Sequence, residues 1–116
     1  MAIDRLNKDD LRQDVLEQTE MLRTHEGLAG LRVALREKGI DPTSSLLASF
    51  AESEELTEYG TIVAANGAVF HYVRDNGDGE ATSFQEWTEI LDISEFSKQF
   101  PWVPVALEEL RGSDGK

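Results

Sequence analysis

A chain of 116 residues, 40% hydrophobic and free of cysteine, carries enough apolar material for one domain with its own core, and it excludes disulfides, thiolate nucleophiles and cysteine metal sites. Its net charge of −12 is concentrated in the middle: residues 1–40 hold eight acids and seven bases, residues 41–97 hold twelve acids against Arg74 alone, and residues 98–116 hold three of each. That field repels nucleic-acid phosphates and anionic lipid, so direct binding to either is not expected.

Charges begin at Asp4 with no apolar core of a secretion signal behind them, and no later apolar run approaches the roughly 20 residues of a membrane-spanning helix. Together with the absence of cysteine, this places the chain in the cytoplasm as an expectation. Asn7 can cap a helix running from Lys8 to about Arg23, with Asp9 and Asp10 in its positive first turn. Leu11, Val15 and Leu22 share one face with Met21 beside them, whereas Leu16 points elsewhere. The pattern pauses over residues 24–27, and a second apolar set, Leu28, Leu31 and Leu35, leads to a stop at Gly39. The reading is a helical hairpin over residues 1–40; a continuous helix is its rival, because Gly27 and Gly30 cost only about 1 kcal/mol each relative to alanine.

After Pro42, the alternation of Leu46, Ala48 and Phe50 with Leu47, Ser49 and Ala51 favours a strand over a short helix. Residues 60–65 and 68–73 are β-prone runs separated by Asn66-Gly67, which suits a two-residue type I′ turn. That turn would set Ala65 opposite Ala68, Val63 opposite Phe70 and Thr61 opposite Tyr72. Tyr59 and Tyr72 are expected at the sheet surface with wet hydroxyls. The polar loop Asp75-Asn76-Gly77-Asp78-Gly79-Glu80 fails as an EF-hand, because Arg74 and Gln85 fall where the first and the bidentate ligands belong. Residues 81–91 are readable in two ways: as a helix with a capping box from Ser83 to Glu86, or as an edge strand carrying Trp87. Phe96, Phe100 and Trp102 are expected to plug the end of the core, ahead of a final helix that starts near Pro104 and stops at Gly112.

The fold class is therefore α+β in one domain: a helical hairpin over 1–40, an acidic β-rich segment over 41–97 with an antiparallel meander centred on the 60–74 hairpin, and short C-terminal helices with a tail over 98–116. His25 and His71 lack any HxH, HxxxH or HExxH partner, so no metal is assigned. His71, on a strand among apolar neighbours, reads as a hydrogen-bonded structural residue, and His25 as a helix-end or turn residue. Adjacent acids such as Glu54 and Glu55 do not supply the differently tuned pair that acid–base chemistry needs. GxSxG, the P-loop and the dinucleotide fingerprint are absent. No catalytic residue and no cofactor are assigned, and an enzyme is the least favoured reading. The charge points instead to a small protein-binding domain that neutralises a basic protein partner, as toxin-immunity and inhibitor proteins do. The candidate docking residues are Glu52, Glu54, Glu55, Glu58, Tyr59, Tyr72, Asp75, Asp78 and Glu80. The alternatives are a nucleic-acid mimic and a homo-oligomeric module using Leu16 or Val33 as self-contacts.

Overall fold

The computed structural model describes residues 8–53, 57–75 and 84–114. Helix α1 (Lys8–Thr24) is followed by a 3-10 turn (Glu26–Leu28) and α2 (Ala29–Glu37). The break between the helices is made by His25, whose Nδ1 accepts from the Gly27 amide at 2.9 Å. That side chain satisfies an amide a continuing helix would have bonded internally, so the hairpin forms and the continuous helix does not. After Gly39, Asp41 turns the chain toward the sheet by accepting from both the amide and the hydroxyl of Thr43. Those two bonds hold the Asp41 carboxyl below its ordinary pKa.

Four antiparallel strands follow in simple meander order: β1 (Leu46–Glu52), β2 (Thr57–Val63), β3 (Val69–Asp75) and β4 (Glu86–Glu89). Two helices close the chain, α3 (Ile93–Gln99), capped by Asp92, and α4 (Trp102–Asp114). The architecture is the expected α+β. Residues 44–52 take the strand reading, and Trp87 lies on an edge strand as one of the two readings of 81–91 required. The capping box is not formed by Glu86, which lies in β4; Ser83 falls outside the described residues. Helix α3 crosses the boundary drawn between residues 97 and 98. Pro104 sits at the third position of α4 rather than the first, where its missing N–H still costs nothing, because first-turn amides have no intrahelical acceptor. Gly112 does not end the helix.

The central hairpin departs from the expected register by one residue. Val63 pairs with Val69, Thr61 with His71 and Gly60 with Tyr72. The cause is a three-residue loop: the Gly67 amide donates to Ala64 O, the Ala68 amide donates to Asn66 Oδ1, and Gly67 takes a φ of 89°. A type I turn closed by a left-handed glycine replaces the two-residue turn. Because side chains alternate with period two, the slip decides which face each one joins.

One face carries Leu46, Ala48, Val63 and Val69 against Leu11 and Val15 of α1 and Val103 and Ala106 of α4. The opposite face carries Leu47, Ile62 and Tyr72 against Leu22, Leu28, Leu31 and Leu35. Helix α1 serves both because it runs along the outer edge of β1. Gln18 Nε2 donates to Leu47 O and Ala48 O, Thr19 Oγ1 accepts from the Leu47 amide, and Arg23 donates to Ser45 O. Side chains thus satisfy an edge that would otherwise offer free backbone groups.

Gly60 is fixed by its cross-strand partner. A Cβ there would lie 2.6 Å from Cζ and from the hydroxyl oxygen of Tyr72, whose ring crosses directly over the glycine. Gly60→Ala is expected to lose about 1–3 kcal/mol, the range for overpacking a filled core. Urea denaturation measures this, and an unchanged midpoint would mean that the ring does not lie on Gly60.

Candidate functional site

The nine residues proposed for docking separate into three groups. Glu54, Glu55, Asp78 and Glu80 lie outside the described residues. Glu52 and Asp75 are exposed at the same end of the meander, since Glu52 pairs with Glu58 and Asp75 with Thr57; Tyr59 is 40% exposed. Glu58 and Tyr72 are corrected: both are fully buried, along with Arg74. Tyr72 donates its phenol proton to Glu58 Oε2 at 2.7 Å. Arg74 holds the same carboxylate through Nε at 3.2 Å and through a second bond from Nη2 to Oε1. Their pairing across β2 and β3, with Tyr72 reaching diagonally over Gly60, converts a surface-type sequence into an internal network. Glu58 cannot meet a partner, and the Tyr72 hydroxyl is not wet.

Burial of that network alters the charge pattern of the surface. Arg74, the one base among residues 41–97, is turned inward and neutralises Glu58. The described surface of this segment therefore carries acids alone: Asp41, Glu52, Asp75, Glu86, Glu89, Asp92 and Glu95 are exposed. Four of them flank β4, the sheet edge that the helices leave open. Between β4 and α3 lies a shallow groove of about 410 Å³ lined by Ile90, Leu91 and Phe96 with Glu89, Asp92 and Glu95 around them. Leu91 is 85% exposed, the most exposed large apolar side chain among the described residues. The sequence does not announce this groove, because residues 81–91 are readable both as a helix and as an edge strand, and the two place Leu91 differently. The available signal is an acid at every third position, Glu86, Glu89, Asp92 and Glu95, with Trp87, Ile90, Leu91 and Ile93 between them.

A second concavity lies on the face covered by α1 and α4, where those helices stop short of the sheet end. It is half-open, about 220 Å³, and lined by Tyr59, His71, Phe100 and Trp102 with Ser49, Gly60 and Gln18. His71 is not the hydrogen-bonded residue expected: its Nδ1 is buried without a partner, and its ring lies beside the stacked pair Phe96–Phe100, with centroids 6.2 and 6.3 Å away. Phe96, Phe100 and Trp102 do pack against the core, and Phe100 and Trp102 also wall this cavity. Leu16 and Val33, the possible self-contacts, are 43% and 39% exposed. Among the described residues no group of three or more His, Asp or Glu is placed to hold a metal ion, and no helix is long and apolar enough to cross a membrane.

Burial, and to a lesser degree the neighbouring Glu58 carboxylate, pushes the Tyr72 phenol well above its ordinary pKa of 10.0. The unfolded chain releases that proton as pH rises through about 10 while the folded chain keeps it. Stability from the neutral phenol is thus complete below pH 10 and falls above it. Tyr72→Phe is expected to lose about 1–2 kcal/mol at neutral pH, through the missing bond to a charged acceptor, and to show a flatter decline between about pH 10 and 12. Denaturant midpoints across that range check both; parallel curves would place the alkaline limb on another group.

No family model, curated protein or solved structure matches this chain.

Proposed function

We propose that this chain is a protein-binding domain whose docking surface is the open β4–α3 flank and whose partner is a basic protein. The observation that carries this reading is Leu91, held 85% exposed over an apolar groove and ringed by Glu89, Asp92 and Glu95. An apolar centre inside a charged rim is the usual anatomy of a recognition site: the centre slows release, and the rim steers approach and rejects partners of like charge. The sheet edge adds a second element of recognition. Ile90 donates its amide to Val69 O, so the antiparallel alternation turns the backbone groups of Glu89 and Trp87 outward, where an added strand could pair with them. Two copies pairing edge to edge would bring Glu86 and Glu89 together, which disfavours self-association through β4 and favours a strand bearing lysine or arginine. Inhibition of a basic enzyme or toxin is the specific form of this reading that the charge suggests.

Capture from a native lysate tests it with three baits: the wild-type chain, Leu91→Ser, and the triple reversal Glu89→Lys, Asp92→Lys, Glu95→Lys. Reversal of Asp9, Asp10 and Glu17 on α1 is the control of equal net charge. A basic protein is expected on the wild type and the control, released by salt as the Debye length shrinks below about 8 Å, and lost from both groove variants. Equal retention by the groove variants and the control would leave the acidic flank as a solubility feature. Glu58 is omitted from the reversal because a lysine there would face Arg74 in the interior.

A further inference from the structure

We infer that the cavity walled by Tyr59, His71, Phe100 and Trp102 binds a methylated ammonium group, independently of the β4–α3 flank. Tyr59, His71, Phe100 and Trp102, together with Phe50, line one half-open space of about 220 Å³, larger than the roughly 150 Å³ that accommodates a benzene ring. No charged side chain lines it, and Gln18, Ser49, Ala51 and Gly60 complete the wall, so a ligand there meets aromatic and uncharged groups rather than a countercharge. Aromatic walls attract a cation through the negative face of each ring and, having no strong hydrogen-bond acceptors, suit an ammonium whose protons are replaced by methyl groups.

Three features favour a cation over an uncharged guest. The chain carries a net charge of −12, which raises the local concentration of cations and opposes anions. Trp102, the strongest of the four π donors, gives its indole N–H to Asp14 Oδ2 at 3.1 Å, which fixes the ring and sets a carboxylate behind it. The other aromatic cluster, in which Phe70 and Phe84 stack on Trp87, already has a cation, the Lys38 ammonium 5.8 Å from the Trp87 ring; the cavity lining supplies none.

The test is titration of the ¹⁵N-labelled chain with choline, with its uncharged isostere 3,3-dimethylbutan-1-ol, and with an acetylated trimethyllysine amide. The amides of Ser49 and Gly60 and the Trp102 indole N–H are followed. Saturable shifts with choline are expected, with the uncharged isostere weaker by about fivefold or more. A tighter fit for the trimethyllysine amide than for choline identifies the source as a modified side chain, and the reverse identifies a free small molecule. Tyr59→Leu, at a partly exposed position, and Trp102→Leu should each weaken choline by about fivefold or more, with folding verified by circular dichroism. Equal binding of choline and its isostere, absence of saturable shifts at millimolar concentration, or an unaffected Tyr59→Leu variant would overturn the inference. Loss of the β4–α3 partner in the capture experiment would leave it standing.

Discussion

A carboxylate and a guanidinium are buried together between β2 and β3, and much of the molecule is arranged around them. Taking two charges out of water costs several kcal/mol per ion, which close pairing and full hydrogen bonding must offset. Arg74 meets both carboxylate oxygens of Glu58, and Tyr72 adds a third bond. Tyr72 reaches Glu58 diagonally on the neighbouring strand by lying across Gly60, so position 60 must be glycine. The pairing holds only in the observed register, with Glu58 opposite Arg74. A slip of one residue would take Arg74 away from Glu58 and Tyr72 away from Gly60, leaving buried charges unpaired, so the network acts as a register lock as well as a source of stability.

The same pair determines what the outside looks like. A segment with twelve acids and one base has its base withdrawn, and the remaining charge of the described surface there is entirely negative. The two sheet edges are then treated differently. Along β1, Gln18, Thr19 and Arg23 of α1 bond the backbone of residues 45–48, which makes that edge unavailable. Along β4 no helix supplies such bonds among the described residues, and acidic side chains flank the strand instead. Closing one edge and charging the other removes self-pairing at both while leaving β4 able to accept a strand of opposite charge.

Two concavities result from the same layout. The groove exists because α3 packs Phe96 near Ile90 and leaves Leu91 outside. The aromatic cavity exists because α1 and α4 cover the Leu46–Val63–Val69 end of the sheet and not the end bearing Ala51 and Tyr59, so Phe100 and Trp102, at the joint between α3 and α4, form a wall rather than a lid.

Local features of the sequence determined the helix pair, the strands and the tight turn, because amphipathic periodicity and turn chemistry act within a few residues. The stripe of Leu11, Val15 and Leu22 and the Asn66-Gly67 turn were legible for that reason, and so was the acidic bias of residues 41–97. Tertiary structure decided the rest. Whether the hairpin loop held two residues or three changed every cross-strand neighbour, and Asn66-Gly67 is compatible with both. Glu58 and Tyr72 read as surface residues because their types are usually wet; only their mutual satisfaction with Arg74 across two strands allows all three to be buried, and that satisfaction is a property of register. Leu91 closes the 81–91 segment, whose local pattern fits a helix and an edge strand alike. Its exposure depends on how α3, whose start the Asp92 cap marks, packs Phe96 beside Ile90, and that packing is tertiary.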